Sequence, residues 1–218
     1  MKAVQEKNRI IATLLAFAVI PMSGLATDIY LPSMPYMAKY FGQAENSIQL
    51  TLSLYLGSYA IAQFFVGSIL DAFGRYKLST ISLFLFMVSF WITAISTDIY
   101  MIYAMRVVQG ILSAFAIVAK RAFFVDVYEG EERRQYLSLM TIVWSAGPIV
   151  APFIGGYLQE HFGWQSNFYL LAVYSGVVGV LEFLFSGETI RKKTAFNAGN
   201  LLRNFKEMIA TPDFFLGL

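Results

Sequence analysis

The sequence predicts an all-α membrane protein of six transmembrane helices, and three observations lead to this prediction. Hydrophobic residues make up 57% of the 218 residues, charged residues make up 14%, and the mean hydropathy is +0.59. Soluble domains carry roughly 25% charged residues, so this chain lacks the polar surface that a soluble domain needs. The charged residues also gather in short clusters between long apolar runs, which is the pattern of spans and loops.

Six apolar runs have the length of a membrane span. A helix needs about 20 apolar residues to cross a bilayer, and lipid satisfies no backbone polar group, so each run should be helical. The first run resembles the core of a secretory signal, but such a core has only about 7–15 apolar residues. We therefore interpret it as the first span. The six runs cover residues 10–30, 48–70, 78–96, 99–119, 136–158 and 168–185.

The basic residues of the short links predict the orientation. Cytoplasmic loops are enriched in Lys and Arg, so the basic side of the bundle is expected in the cytoplasm, together with both ends of the chain. The loop over residues 28–47 offers only Lys39, and the turns at 97–98 and 159–165 have no basic residue. Links on the basic side carry Lys2, Lys7, Arg9, Arg75, Lys77, Lys120, Arg121, Arg133, Arg134, Arg191, Lys192, Lys193, Arg203 and Lys206.

The composition changes after the sixth run, which divides the chain into three segments. We expect a six-helix transmembrane bundle over residues 1–186 and a cytoplasmic central loop over residues 187–211. Pro212 then begins an apolar stretch over residues 212–218, which is typical of the start of a truncated seventh helix. This pattern favours an incomplete chain.

The composition also excludes several kinds of chemistry. With no cysteine and a single histidine, His161, thiol catalysis and the usual metal sites are not expected. The net charge is only +2 and the basic residues lie in loops, so nucleic acid is not an expected partner. We find no nucleophile–base pair, metal-ligand spacing or phosphate loop, so the chain is not expected to be an enzyme or to bind a cofactor other than protons.

Two charged residues lie inside apolar runs and are candidates for function. Asp28 ends the first run, where a partly dehydrated carboxylate exchanges protons near neutral pH; the alternative is a carboxylate that faces water at the helix end. Arg106 lies seven residues into the fourth run, about 10 Å from its boundary. It needs a carboxylate, carbonyl groups or water inside the bundle, unless its long stem reaches the surface. Gln109 follows on the same helix face.

The link between the second and third runs combines glycines with charged residues. Gly67 would let a neighbouring helix approach, Gly74 would permit a tight turn, and Asp71 could accept charge-assisted hydrogen bonds across the junction. With Arg75, these residues are a candidate latch, although an acidic residue beside basic ones is ordinary in a cytoplasmic turn.

The fifth run contains prolines and glycines, which favour a kink and close helix packing. The pattern predicts either a bent packing helix or a pivot between two halves of a larger protein, and spacing does not decide between them. The residues concerned are Gly147, Pro148, Pro152, Gly155 and Gly156.

Aromatic residues offer a candidate substrate cavity. Tyr55 and Tyr59 lie four residues apart on the second run and, with Tyr30 and Trp144, could line a pocket for an apolar or cationic ligand. Aromatic residues are 17% of the chain, however, so most of them simply face lipid or neighbouring helices. Glu182, near the inner end of the sixth run, is either a second proton carrier or a solvated group, and its position favours the second.

Four stretches of the chain resemble the major facilitator superfamily, and within it the drug:proton antiporters of the Bcr/CflA type. Residues 27–35, Thr-Asp-Ile-Tyr-Leu-Pro-Ser-Met-Pro, are similar to the first-span signature of that branch. The other three stretches are similar to the loop motif after the second span, the fourth-span arginine motif and the fifth-span antiporter motif, and they cover residues 67–77, 106–110 and 147–156.

The resemblance implies roles for individual residues. Asp28 would be the proton- and substrate-coupling carboxylate, and Arg106 would tune its protonation. Tyr30, Tyr55, Tyr59 and Gln109 are then candidates for the substrate cavity. The cytoplasmic gate would include Gly67, Asp71, Gly74 and Arg75. Departures from the family pattern at Ala72, Tyr76 and Val125 imply a gate that is weaker or differently paired.

The resemblance also implies an activity and a set of partners. Such proteins have twelve spans in two halves, so the expected function is proton-coupled efflux of small amphipathic compounds, with this chain as the N-terminal half. The expected partners are a small drug-like molecule, the lipid bilayer of a bacterial inner membrane and the missing C-terminal six-helix half. The alternatives are a metabolite uniporter or symporter, and a six-helix membrane fragment that does not transport.

Overall fold

Six helical spans cross back and forth to form one bundle in the computed structural model, which describes residues 8–190. This all-α membrane fold confirms the prediction. The first span, Arg9–Phe41, contains three short helices, and each later span is one helix. The helices are α1 (Arg9–Val19), α2 (Met22–Asp28), α3 (Met34–Phe41), α4 (Glu45–Phe73), α5 (Arg75–Ile95), α6 (Ile99–Val127), α7 (Gly130–Phe162) and α8 (Gln165–Phe185).

Prolines divide the first span. Pro21 has no N–H group to donate to the carbonyl of Phe17, and the chain turns between α1 and α2 at this position. Pro32 likewise leaves the carbonyl of Asp28 without its helical donor, and α2 ends at Asp28. A 3-10 turn, Leu31–Ser33, then leads into α3. Asp28 therefore lies on a short helix that is interrupted on both sides.

The prediction of a loop over residues 28–47 is wrong for the middle part of that range. Helix α3 occupies most of it, because Met37 and Ala38 turn inward and are buried against the core. The true link is residues 42–44, where Gly42 ends α3 with a φ of 61°. A short amphipathic helix at a span end needs no long apolar run, so hydropathy alone did not find it.

The later helices extend beyond the apolar runs that predicted them. Backbone hydrogen bonds continue wherever the chain remains helical, so a helix can project past the bilayer. Helix α6 continues to Val127 and places Lys120 and Arg121 on the helix, whereas the sequence placed them in a link. The predicted central loop beyond residue 190 and the predicted seventh-helix start lie outside the described residues.

Small residues set the closest helix contacts. A Cβ atom added to Gly110 of α6 would lie 2.0 Å from Oγ of Ser58 and 2.4 Å from the carbonyl oxygen of Tyr55, both on α4. A Cβ atom on Gly176 of α8 would lie 2.6 Å from the sulfur of Met87 on α5. Such contacts are expected in lipid, where helices associate through close packing rather than through exclusion of water.

The alternating spans give the bundle two distinct ends. The basic end contains the start of α1, the links at Gly74 and at residues 128–129, and the end of α8. The opposite end contains the links at residues 42–44, 96–98 and 163–164. Helices α4 and α7 bury the smallest share of their apolar surface within the described chain. They therefore leave the largest apolar faces open.

Candidate functional site

Arg106 of α6 is fully enclosed by the bundle. Its Nη1 atom donates to the carbonyl oxygen of Ala26 at 3.1 Å and to Oε1 of Gln109 at 3.0 Å. Its guanidinium carbon lies 4.1 Å from the ring centre of Tyr30 and 4.9 Å from that of Phe168. The prediction that Arg106 faces the interior is confirmed, and the alternative that its stem reaches the surface is wrong. Of the partners left open by the sequence, a carboxylate, carbonyl groups or water, the structure shows a carbonyl group.

The charge of Arg106 is stabilised without a carboxylate. No ion pair to Arg106 occurs among residues 8–190, and its Nε and Nη2 atoms have no protein partner. Aromatic faces attract the guanidinium through the ring quadrupole, which supplies part of the missing stabilisation. The result is a buried positive charge beside the first span that an arginine cannot discharge by losing its proton.

Gln109 connects Arg106 to a chain of hydrogen bonds inside the bundle. Its Nε2 atom donates to Oγ1 of Thr93 on α5 at 3.0 Å, and Thr93 donates in turn to the carbonyl oxygen of Ser89 at 2.8 Å. All of these side chains are buried. Gln109 therefore links α6 to α5 and fixes the guanidinium.

Asp28 is half-buried and lies two residues after Ala26, the carbonyl acceptor of Arg106. Within the described chain, no hydrogen bond or ion pair joins Asp28 to Arg106 directly. The two residues are connected through α2, whose carbonyl group receives the arginine while its last residue carries the carboxylate. The sequence predicted that Asp28 and Arg106 share one location, and among the described residues they are linked only through the backbone of α2, by way of Ala26.

The fifth-span motif packs against the helix that carries Asp28. The Cα atom of Gly147 lies 3.9 Å from the position of a Cβ on Gly24, and a Cβ on Gly155 would lie 1.6 Å from the carbonyl oxygen of Ile29. These two contacts bracket Asp28 in the sequence. Glycine is required at position 155 because no side chain fits there.

The prolines of this motif do not interrupt α7. The helix runs unbroken from Gly130 to Phe162, with Pro148 and Pro152 inside it. Pro148 lies 3.5 Å from the Cβ position of Gly24, and Gly156 faces Pro32 at a normal distance of 3.9 Å. The motif is therefore a packing surface between the first and fifth spans of this chain.

The tyrosines predicted for the substrate cavity are mostly closed off. Tyr30 is fully buried, with its hydroxyl 3.0 Å from Oγ1 of Thr51, and Tyr55 donates to the carbonyl oxygen of Ser23 at 3.4 Å. Tyr59 stacks on Tyr55 with a ring-centre distance of 6.5 Å and is partly exposed. Tyr30, Tyr55 and the buried Gln109 therefore do not line an open cavity in this structure, because they pack around Arg106 and the first span.

The candidate gate residues form a network at the basic end. Arg75 donates to Oδ1 of Asp71 through Nε at 2.9 Å and through Nη2 at 2.7 Å. Its Nη1 atom donates to Asp126 of α6, which also accepts a hydrogen bond from Thr189 at 2.7 Å. The backbone N–H of Arg75 donates to Glu188 at 3.1 Å. The network joins α4, α5, α6 and the segment after α8. The prediction that Asp71 accepts hydrogen bonds across the junction between α4 and α5 is confirmed.

The two glycines of this link differ. Gly74 is the single residue between α4 and α5, and its φ of 110° is one that other residues rarely adopt. The predicted tight turn is confirmed. No described atom lies within 4 Å of a Cβ position on Gly67, so the close helix contact predicted there is not made within the described chain.

Sequence reasoning missed a second buried charge pair. Lys120 of α6 donates to Glu182 of α8, and both side chains are almost completely buried. The prediction of a solvated Glu182 is wrong, because α6 extends far enough to bring Lys120 beside it. A signal was present: Lys120 follows an apolar run without a break, at a spacing that continues the buried face of α6.

The described residues offer no group of three or more His, Asp or Glu side chains that could hold a metal ion. No cofactor follows from their arrangement.

Comparison with known proteins agrees with this architecture. A crystal structure of the human organic anion transporter MFSD10 (TETRAN) superimposes with a TM-score of 0.68 at 17% identity, covering 96% of this chain and 57% of that one. At this identity the likeness concerns the fold. The six spans of this chain superimpose on part of that longer transporter.

Similar sequences are named as transporters or resistance proteins. An uncharacterized MFS-type transporter, YdgK, of Bacillus subtilis is 30% identical over 95% of this chain and 53% of its own length. A bicyclomycin resistance protein homolog of Haemophilus influenzae is 28% identical over 87% of this chain and 48% of its own length. The multidrug resistance protein MdtL of Shewanella sp. is 30% identical over 87% of this chain and 48% of its own length.

The chain spans about half the length of these curated relatives. None of the three is named as an enzyme, which agrees with the expectation from the sequence. The profile of the Major Facilitator Superfamily matches residues 16–217, nearly the whole chain. With six spans, this fold and this match, the chain is a multi-pass membrane protein that belongs to the Major Facilitator Superfamily.

Proposed function

We propose that this chain is the N-terminal half of a proton-coupled exporter of small amphipathic compounds. The relatives named for multidrug resistance and for bicyclomycin resistance support the substrate class, and the half-length coverage supports a second half in the complete protein. Substrate would bind between the halves, as is general for transporters built from repeated bundles.

The observation that carries the proposal is the enclosed Arg106 with no carboxylate partner among the described residues, bonded to the carbonyl oxygen of Ala26. In this proposal, approach of the fixed positive charge would favour the carboxylate form of Asp28, whereas removal of water would favour its protonated form. A shift of α2 relative to Arg106 changes the balance of these two effects. Pro21 and Pro32 each remove a helical hydrogen bond next to α2, so fewer backbone bonds tie this short helix to the rest of the span.

The exchange cycle follows from this balance. When the site opens to the outside, Asp28 takes up a proton and substrate leaves. When the site opens to the cytoplasm, Asp28 releases the proton to water and its carboxylate assists binding of the next substrate. Inward proton movement thus drives outward substrate movement, and the Asp71–Arg75–Asp126 network holds the basic end closed in one of the two states.

The same proposal assigns the orientation and the membrane. The basic end carries Arg9, Arg75 and Arg133 in the described chain, whereas Lys39 is the basic residue near the opposite links. Positive-inside reasoning then assigns the basic end to the cytoplasm of a bacterial inner membrane, with both ends of this segment on that side.

The test uses the complete protein that carries this chain, in everted membrane vesicles with an imposed pH gradient. Ethidium and bicyclomycin serve as probes, and fluorescence or radiolabel reports accumulation in the vesicles. We expect gradient-driven accumulation in the wild type and background accumulation in Asp28→Asn. Full activity in Asp28→Asn would remove Asp28 from the mechanism. If collapse of the pH gradient lowers substrate uptake into intact cells, the protein would be an importer instead.

A further inference from the structure

The Lys120–Glu182 pair has no part in the cycle described above. The exposed fractions of its two side chains are 4% and 0%, and the Oε2 atom of Glu182 has no hydrogen-bond partner in the part of the chain that the structure describes. The other ion pairs within residues 8–190 are at least partly exposed. Charged groups inside a membrane protein are costly, and when they are retained they commonly belong to ion or proton pathways.

A small cavity adjoins the carboxylate. It measures about 10 Å³, which is room for about one water molecule. The polar and charged residues in its lining are Arg75, Tyr76, Lys120, Glu182, Ser186 and Thr189. Arg75 and Thr189 both bind Asp126, whose side chain is 22% exposed, so the cavity lies one layer of side chains from water at the basic end.

Lys120 moves with Arg106 because both belong to one unbroken helix, α6. They lie fourteen residues apart, 120 minus 106, which is about 21 Å along the helix axis. Fourteen residues are also close to four full turns, so both cations occupy the same buried face. Any displacement of α6 that alters the surroundings of Arg106 also moves Lys120 relative to Glu182 on α8.

We propose that Glu182 is a second proton site of the transporter, with Lys120 as its movable counter-charge. This inference rests on the proposed proton-coupled function. In the described state Lys120 is paired with Glu182. When α6 withdraws Lys120, an oxygen of Glu182 binds a proton that has passed inward from the region of Asp28. When Lys120 returns, that O–H bond breaks and the proton passes to water through the cavity.

The charged groups around Glu182 agree with release at this end. Lys120 faces it from α6, and Arg75 and Tyr76 face the same cavity from α5. The residues that line the cavity after α8, Ser186 and Thr189, are neutral. The cavity lining thus combines two cations with a single carboxylate, that of Glu182.

The experiment measures proton release from the purified complete protein in lipid nanodiscs, with a pH-sensitive dye, when ethidium is added. The test variant is Lys120→Gln/Glu182→Gln, which keeps a hydrogen-bonding pair without charge. The matched control is Glu131→Gln/Arg134→Gln, which removes the exposed pair of α7. We expect the test variant to bind ethidium normally but to release its proton at least about tenfold more slowly than the wild type, since the relay between Asp28 and water at the basic end is lost. The control should match the wild type.

Three results separate the possibilities. Proton release as fast as that of the wild type in the test variant would make Lys120–Glu182 a packing pair and overturn this inference alone. Ethidium binding without proton release in the wild type would instead overturn the proposed function. If the test variant does not fold, Lys120→Met/Glu182→Leu replaces the pair by apolar side chains, an exchange that buried pairs often tolerate, and it is judged by the same rate of proton release.

Discussion

Arg106 and Ala26 are joined by a hydrogen bond of 3.1 Å between the guanidinium Nη1 and a main-chain carbonyl oxygen, inside the bundle. An arginine buried in a membrane protein usually finds a carboxylate, but here the acceptor is the backbone of α2, two residues before Asp28. Because a backbone acceptor carries no full charge, most of the arginine's positive potential remains to act on its surroundings. The position of α2 therefore determines how close the charge of Arg106 lies to the residues of that helix.

Removing this charge should abolish coupling. We expect Arg106→Ala to reduce gradient-driven efflux by at least about tenfold, equivalent to about 1.4 kcal/mol. Arg106→Lys keeps the charge but loses the planar fork that reaches both Ala26 and Gln109, so it should also be impaired. Efflux assays in vesicles measure both variants. The exposed Arg134→Ala serves as the control, and wild-type coupling in Arg106→Ala would contradict the role of the charge.

The ring and the hydroxyl of Tyr30 should have separable effects. Tyr30→Phe keeps the ring over Arg106 and loses the hydrogen bond to Thr51, which is worth about 1 kcal/mol. Tyr30→Leu also removes the cation–π contact beside a buried charge, worth about 2 kcal/mol more. Thermal unfolding in detergent should therefore rank the wild type above Tyr30→Phe and Tyr30→Phe above Tyr30→Leu. Equal melting temperatures for the two variants would argue against stabilisation by the ring.

The contact between the first and fifth spans can be tested with two glycines. Gly155→Ala would place a Cβ atom 1.6 Å from the carbonyl oxygen of Ile29, so we expect a loss of stability of about 3 kcal/mol or more. Gly156→Ala is the matched control, since its nearest neighbour outside the helix, Pro32, would be 3.9 Å away. Size-exclusion profiles after heating measure the difference. Similar profiles for the two variants would mean that α7 does not pack on α2 as described.

A second glycine pair tests the contact between α4 and α6. Gly110→Ala would bring a Cβ atom within 2.4 Å of the Tyr55 carbonyl oxygen, and neither backbone can give way without separating the helices. Gly57→Ala has open space around its Cβ position. We expect Gly110→Ala to reduce the amount of folded protein in the membrane several-fold, because overpacking costs about 1–3 kcal/mol or more. Gly57→Ala should accumulate normally.

The network at the basic end should affect conformation more than stability. Arg75→Gln removes the bonds to Asp71 and Asp126, but these side chains are 19% to 39% exposed, so the loss of stability should be about 1 kcal/mol or less. We introduce a cysteine at Ser186 and measure its rate of reaction with a water-soluble maleimide. We expect this rate to be higher in the protein with Arg75→Gln than in the protein that keeps Arg75. Asp126→Asn should produce a smaller increase. Unchanged reactivity in both variants would show that the network does not close this end.

Hydropathy alone predicted the number of spans, because the bilayer requires about 20 apolar residues for each crossing and the composition meets this requirement six times. The position of Arg106 on a buried face with Gln109 was also predictable, since helical spacing fixes which residues share a face. Gly74 was predictable for a similar reason, because a one-residue link requires a backbone conformation that favours glycine.

Other features depended on which helices meet in space. The sequence could not show that Arg106 would bind Ala26, eighty residues earlier in the chain, or that Gly155 would face the carbonyl oxygen of Ile29. Lys120 and Glu182 are sixty-two residues apart, and each alone looked like a solvated group near a span end. The sequence by itself therefore determined the spans and their faces, because these follow from local periodicity and from the bilayer. Only the tertiary structure decided the partners of the buried charges, because those contacts depend on helix packing that no local pattern encodes.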